Sequence, residues 1–578
     1  MSRSVEHRFV EHRFKADDGA ELVFRHWPAA TPSGKSLMLF HRGHEHSLRW
    51  QETVESLDLG EFDIFAWDQR GHGDSPGERG SALNLAQVIH DANDWARHLV
   101  NAHGIALENT VVVSHSVGAV VAAAWVHDYA PPIRGLVLAT PALRVKLYIP
   151  LAIPALRLKQ KFIGPGYVKS YVKSRVLTHD NGQARTYDAD TKIFKQIAVN
   201  ILLDLHDTSK RLLDDAGAIT TPTLILTAGK DWVVRIDAQT ELLRRLGSRF
   251  KQLEVFPEMY HAIFHEAGRE AVVSRTRTFI QQCFERSPQR EHLLNADVSG
   301  YTRTEYDTLR TPGNLKWKST QFMLKTVGRL SRGIRLGWRE GFDSGVMLDH
   351  VYKNQAKGFP VVGKLIDRNF LDAVGWRGIR VRAANLRRLL EEEIRAQHAA
   401  GKQVHILDLA AGPGRYILET MKALPEVPIR ATLRDYKQTN LDAARELARE
   451  LGLTDRVTIE HGDAFDRTNV SAISPEPTIG IISGLLELFP DNEQPRRAIG
   501  GMHDAIESDG ALLYTCQPWH PQVEFIARVL TNREGKPWIM RRRSQEEMDQ
   551  LVRAAGFTKM DQRVDEWGIF TVSIARRA

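Results

Sequence analysis

Three residues far apart in this sequence have the types needed to transfer an acyl group. Ser116 lies in TVVVSHSVGAVVAAAWVH, where one apolar run ends on small residues and a histidine and another begins. A serine hydroxyl attacks a carbonyl only with a base to take its proton, an acid to orient that base and donors for the developing oxyanion. Asp231 follows the strand and turn LILTAGK, and His261 follows the last candidate strand in LEVFPEMYHAIFHE. The order serine, acid, histidine is the one expected when all three project from strand ends of a single sheet. The amide of Val117 would be one oxyanion donor, and Gly43, in the loop HRGHEHS after SLMLF, the other. Taken alone, Ser116 is either a nucleophile on a strand-to-helix turn or a serine in a buried segment, because G-x-S-x-G is here S-x-S-x-G with Ser114 first. The joint pattern favours the nucleophile.

A second constellation begins at His405. HILDLAAGPGRY is a strand ending at a glycine-rich turn, followed by a second strand carrying Asp435 and by HGDAF after a third. That spacing places loop backbone against a cofactor, a carboxylate at its ribose, and Asp463 with Ala464 at an adenine edge. The nicotinamide fingerprint G-x-G-x-x-G is absent, which disfavours a dinucleotide.

Both sets need a parallel sheet to hold them. In the first half, AELVFRHW, SLMLF, EFDIFAW, TVVVS, IRGLVLATPA, PTLILTAGK and KQLEVFP read as strands alternating with helices, which implies a mostly parallel sheet covered on both faces. A long insertion, about 141–215, separates LVLATPAL from TPTLILTAGKD and would sit above the sheet as a lid. Its stretch from Arg144 to Arg175 holds eight basic residues and no acidic one. Residues 286–345 read as a linker that turns helical near Ser319. A second alternating unit follows and closes on AGFTKM and GIFTVSIARR. The expected division is 1–285, the linker, and 346–578 including a segment that covers the second site.

A chain of 578 residues fits two or more domains. Cys283 and Cys516 define no disulfide framework, which suits a reducing compartment. The start, MSRSVEHRFVEHRFKADDGA, is polar throughout and unlike a signal peptide, and no apolar run is long enough to span a bilayer. The net charge of +7 points to an anionic surface or ligand among the partners. His44, His46, His72 and His115 are read as loop-ordering hydrogen-bond partners, and no histidine cluster has zinc spacing, so no metal is expected.

Residues 9–285 resemble the monoacylglycerol lipase and lysophospholipase branch of the α/β-hydrolases, on HRGHEHS, WDQRGHGDSPGERG and the placing of Ser116, Asp231 and His261. The resemblance implies an α/β-hydrolase fold and hydrolysis of a carboxylic ester of a lipid or lysophospholipid-like substrate through an acyl-enzyme. Ser114 and Arg42 depart from the branch's glycines; Arg42 would either crowd the mouth or bind an anionic head group.

Residues from about 400 to 578 resemble class I S-adenosylmethionine-dependent methyltransferases, with Asp408-Leu409-Ala410-Ala411-Gly412-Pro413-Gly414 matching the first motif. The resemblance implies a Rossmann-like fold and S-adenosylmethionine as cofactor, with Asp408, Ala410, Gly412 and Gly414 at its loop and Asp435 at the ribose. Asp463 and Ala464 would meet the adenine, and Ser483 and Gly484 would lie near methionine and acceptor. Tyr352, Asn354, Arg377 and Arg382 are candidates for an acceptor wall. The expected whole is a bifunctional enzyme with an ester substrate and a separate methyl acceptor. It would be cytoplasmic, and would visit the inner face of an anionic membrane through the lid. The rival accounts are one half as a non-catalytic scaffold, or a methyltransferase acting on nucleic acid or protein; nucleic acid is disfavoured because no recognisable binding module gathers the charge.

Overall fold

A computed structural model describes residues 8–288, 291–359 and 361–578. Cα packing separates two compact units, with the division between Glu291 and His292.

The first unit is built on β1 (Val10–Lys15), β2 (Glu21–Trp27), β3 (Lys35–Phe40), β4 (Phe62–Trp67), β5 (Thr110–His115), β6 (Gly135–Ala139), β9 (Thr223–Ala228) and β10 (Lys251–Phe256). They lie in the order β1-β2-β4-β3-β5-β6-β9-β10, parallel from β4 to β10. Two short lid strands, β7 (Tyr167–Lys169) and β8 (Gln196–Ala198), pair with each other. The central strands are apolar on both faces, and Leu37, Leu39, Val111, Val113, Leu224 and Leu226 are fully buried, as a sheet sandwiched between helices requires. The helix Val117–Tyr129 is apolar all round and packs inside. Edge strand β1 escapes the pattern reading because VEHRFK buries only Phe14.

Between β6 and β9 the insertion folds into helices Ala152–Phe162 and Val199–Asp214, the β7–β8 hairpin and shorter turns. Pro154 does not break the first of these helices. It occupies the first turn, where an amide would have no intrahelical acceptor.

The second unit orders β11 (His405–Leu409), β12 (Arg430–Asp435), β13 (Val457–His461), β14 (Ile479–Ile482), β15 (Ala511–Cys516), β16 (Phe557–Val564) and β17 (Thr571–Arg577) as β13-β12-β11-β14-β15-β17-β16. All pairings are parallel except those of β17, which runs antiparallel between β15 and β16. Order reverses between β11 and β14, the switch point where such sheets bind ligands. Within 286–345, helices begin at Tyr301, ahead of Ser319. Tyr301–Arg310, Leu315–Lys325 and Arg332–Glu340 belong to this unit, the last two started by Asn314 and Ser331, whose side chains accept first-turn amides. The helix Val374–Ala399 buries Trp376, Ile379, Arg382, Leu386, Leu389 and Glu393 along one face.

Candidate active sites

Ser116 ends the central strand in a strained turn, with φ 56° and ψ −115°. Helix and strand can approach there only because Gly118 has no Cβ, which would stand 2.2 Å from the carbonyl oxygen of His41. Ser114 fits where a glycine is usual because its hydroxyl turns sideways and donates to the carbonyl of Val137 at 2.7 Å. A buried hydroxyl without that partner would cost about 1–3 kcal/mol.

His261 Nδ1 lies 2.8 Å from Asp231 Oδ2, and its Nε2 lies 2.7 Å from Ser116 Oγ. With the Nδ1 proton directed at the carboxylate, Nε2 presents a lone pair to the serine hydroxyl. Asp231 Oδ1 accepts from the amides of Val233 and Val234 at 2.7 and 2.9 Å. Burial works against its charge, but His261 and these amides outweigh it and hold the carboxyl below its ordinary range.

Further contacts brace these three residues. His115 Nε2 and Thr140 Oγ1 both donate to the carbonyl of His261 at 3.0 Å, and Lys146 donates to that of Asp231 at 2.5 Å. Of these only His115 was marked in sequence, as a loop-ordering residue. Thr140 and Lys146 carry no motif. His44, His46 and His72 also hold loops, through Ser170 Oγ, Asp190 Oδ2 and the carbonyl of Arg70.

Ser116, His261, Gly43 and Val117 line one cavity of about 360 Å³ whose far walls come from the lid, including Leu147, Leu156, Ile197 and Leu205. A Cβ on Gly43 would lie 3.0 Å from Val117 Cγ2, so the two candidate donors are neighbours. The Val117 amide opens its helix, where no intrahelical carbonyl is available to it. Arg42 lines this cavity but does not stand free for an anionic head group. It is buried, donates to Glu45 and lies over the Tyr187 ring.

In the second unit, Ala410, Gly412, Gly414, Asp435 and Ser483 line a single cavity at the switch point, with Tyr352, Arg382, Tyr436 and Gly484. Ala410, Gly412 and Gly414 have φ of 60°, 57° and 62°. A Cβ on Gly412 would enter open space, whereas one on Gly414 would strike Leu433 Cδ1 at 2.5 Å. Gly414 is therefore required by packing and Gly412 leaves room for a ligand. Asp435 accepts from Gly412 N, Lys437 N and Asn440 Nδ2 at 2.9, 2.8 and 3.1 Å. A carboxylate has about four acceptor positions, so one direction remains for a ligand hydroxyl.

Asp408 lies beneath this loop, outside the lining. Tyr416 donates to its Oδ2 at 2.5 Å while Oδ1 is buried without a partner. Burial raises its pKa well above the carboxylate range. Asp463 and Ala464 are also outside the lining: Asp463 accepts from Phe465 N, and Ala464 packs in a core with Leu407 and Ile482. The acceptor candidates divide as well. Tyr352 and Arg382 reach the cavity, Asn354 ends a helix and accepts from Arg368, and Arg377 stacks over Trp567.

A family model described as "Putative methyltransferase" matches residues 276–577, and one described as "Serine aminopeptidase, S33" matches residues 31–268. The first spans more than half the chain. This chain belongs to that methyltransferase family. Its relative YnbC, an uncharacterized protein of Escherichia coli strain K12, is 45% identical over 575 residues, 98% of both chains. The monoacylglycerol lipase of Mycolicibacterium smegmatis is 23% identical over 271 residues, 47% of this chain and 96% of its own. A crystal structure of Paleococcus ferrophilus monoacylglycerol lipase aligns at 20% identity and a TM-score of 0.41, covering 48% of this chain and 99% of that one. The protein is thus an α/β-hydrolase domain of the S33, lipase-like kind fused to a methyltransferase domain, two catalytic domains in one chain. The family's cofactor is S-adenosylmethionine, and the open glycine loop and the remaining acceptor direction of Asp435 fit it.

Proposed function

We propose that the hydrolase domain cleaves a carboxylic ester of an apolar acyl chain, on a lipid or lysophospholipid-like molecule, with Ser116, His261 and Asp231 as its triad. The observation that carries this reading is the hydrogen-bonded chain from Asp231 through His261 to Ser116, opening on a cavity lined largely by apolar side chains. The relation to the M. smegmatis monoacylglycerol lipase adds support for a glycerolipid ester. His261 Nε2 takes the serine proton as Oγ attacks the carbonyl, and the amides of Val117 and Gly43 meet the oxyanion. His261 then returns the proton to the leaving alcohol and activates the water that frees the acid. Asp231 stays ionised and fixes the tautomer.

In the methyltransferase domain, Ala410, Gly412, Gly414, Asp435 and Ser483 would hold S-adenosylmethionine, with Asp408 supporting the loop from below. When bound, that cofactor supplies an electrophilic methyl group. The full-length protein should hydrolyse a nitrophenyl ester, lose this in Ser116→Ala, and bind S-adenosylmethionine by calorimetry. Asp435→Ala should weaken cofactor binding and leave the esterase rate intact.

The lid favours a cytoplasmic enzyme that visits the inner face of an anionic membrane. On and beside the helix Ala152–Phe162, Ile149, Leu151, Leu158, Phe162 and Ile163 are exposed next to Lys159 and Lys161. Apolar side chains of this kind enter the interface while cations meet lipid phosphate, each contributing roughly 1 kcal/mol. No helix among the described residues is long and apolar enough to cross a membrane.

A further inference from the structure

A second cavity, of about 300 Å³, adjoins the glycine-loop cavity of the methyltransferase domain. The two share Asp343, Leu348, Arg382, Gly484 and Leu488 as lining, so whatever fills the second lies across that common wall from the first. Its body is apolar and aromatic: Phe342, Phe370, Trp376, Phe525, Trp538 and Phe570 all contribute. Two of its polar residues pair with each other: Arg382, on the common wall, and Glu487, which lines the second cavity alone.

Arg382, from the helix Val374–Ala399, donates to Glu487 Oε1 at 2.9 Å. Glu487 is 9% exposed and its other oxygen, Oε2, is buried with no hydrogen-bond partner. An unmatched carboxylate oxygen beside a cavity costs several kcal/mol unless a bound group donates to it. A further polar residue of the lining is His520. Gln522 N donates to its Nδ1 at 3.0 Å, so in the neutral ring Nε2 carries the proton and is a donor. Burial, with Arg542 nearby, holds that ring neutral, its pKa lowered to about 3.

These groups select by charge. Arg382 is neutralised in place by Glu487, Asp343 is paired with Arg533, and His520 is neutral, so the ionisable lining carries no uncompensated charge. An anionic acceptor would enter beside Glu487 with no uncompensated cation to receive it. A cationic amine would find both carboxyls already paired with arginines and would have to shed a proton before attacking. A neutral hydroxyl brings no charge and can donate to the unmatched Glu487 Oε2.

We propose that the methyl acceptor is a neutral, hydroxyl-bearing molecule with an apolar body, seated in this cavity with its O–H on Glu487, which takes the proton as the oxygen is methylated. The inference rests on the reading of the Gly412 cavity as the methyl-donor site. In the transfer, the bond from the donor's sulfonium sulfur to its methyl carbon breaks, and its electron pair stays on sulfur as a neutral thioether. The acceptor oxygen forms the new O–CH3 bond, and its proton passes to Glu487. Glu487 is thereby a catalytic residue, and Arg382 a positioning residue that holds its carboxylate.

The test uses the full chain and 8-bromo-1-octanol, whose bromine quenches tryptophan at short range. Trp376 and Trp538 line this cavity, whereas no tryptophan lines the hydrolase cavity. Saturable quenching is expected without cofactor, lost in Trp376→Phe/Trp538→Phe, and at least about fivefold tighter than with 8-bromooctanoate or 8-bromooctylamine. Glu487→Gln keeps a side-chain oxygen acceptor but removes the base. It should bind the alcohol and S-adenosylmethionine within about threefold of the parent, yet methylate 1-octanol at least about 100-fold more slowly. Tighter binding of the acid or amine, no quenching of these tryptophans, or full methylation by Glu487→Gln would overturn the proposal. Alcohol binding with no S-adenosylmethionine binding by calorimetry would overturn the donor reading and, with it, the role of acceptor.

Discussion

His115 Nε2 donates to the main-chain oxygen of His261 at 3.0 Å, tying the residue before the candidate nucleophile to the candidate base. Burial, with Arg42 and His261 adding to it, holds the His115 pKa well below the ordinary histidine value, so the ring stays a neutral donor. Thr140 shares the same carbonyl, so His115→Ala leaves that oxygen one partner. The expected result is about a tenfold lower kcat on a nitrophenyl ester, equivalent to about 1.4 kcal/mol, with KM changed less than twofold. Steady-state kinetics beside the parent protein would check it.

Two glycines of one loop should fail in different ways. Gly412→Ala places a methyl group in open space within the glycine-loop cavity at positive φ, at a conformational cost of about 1–2 kcal/mol. Gly414→Ala drives a Cβ into Leu433 and should destabilise the methyltransferase domain by about 2 kcal/mol or more. Calorimetry and thermal melts should therefore show Gly412→Ala folded with S-adenosylmethionine affinity reduced at least about tenfold, and Gly414→Ala melting several degrees lower.

The buried Asp128 accepts from Arg211 Nη2 at 2.8 Å and from His127 Nδ1 at 2.7 Å, and His127 Nε2 also reaches Asp215. Burial opposes its charge, but Arg211 and His127 outweigh that and lower its pKa to about 2. A depressed folded value means stabilisation fully present above the unfolded carboxyl value, near 4, and lost as pH falls toward about 2. Asp128→Asn should therefore cost about 3–5 kcal/mol at pH 7 in urea unfolding of the hydrolase domain, and the penalty should shrink at pH 3.

Leu158 and Phe162 are 60% and 73% exposed on the lid helix. If that helix docks on lipid, Leu158→Asp/Phe162→Asp should abolish flotation with anionic vesicles. Turnover of a short soluble ester should stay within about twofold, because neither residue lines the hydrolase cavity. Equal flotation of both proteins would exclude this helix as the contact.

Much of this architecture was readable from apolar runs, because a central parallel strand must be apolar on both faces: TVVVS and HILDL announce themselves, whereas VEHRFK at an edge does not. Ser116, Asp231 and His261 were found by order, since strand ends of one sheet converge. The bracing residues Thr140 and Lys146 were not, because a hydrogen bond to a main-chain oxygen leaves no spacing in sequence. Asp463 and Ala464 were expected on the cofactor by counting strands; the loop instead turns the Asp463 side chain back on its own backbone. Glu487 sits in the apolar stretch LLELF without distinction. Only the fold reveals that Arg382, more than a hundred residues earlier, pairs one of its oxygens and leaves the other buried and unmatched.

The most direct measurement is peptide mass spectrometry of the full-length protein after reaction with a fluorophosphonate. A single adduct on Ser116 is expected, slowed at least about 100-fold in His261→Ala and absent from Ser116→Ala, with S-adenosylmethionine binding unchanged by the label. An adduct on another residue, or labelling that persists unchanged in Ser116→Ala, would contradict the assignment of the hydrolase site.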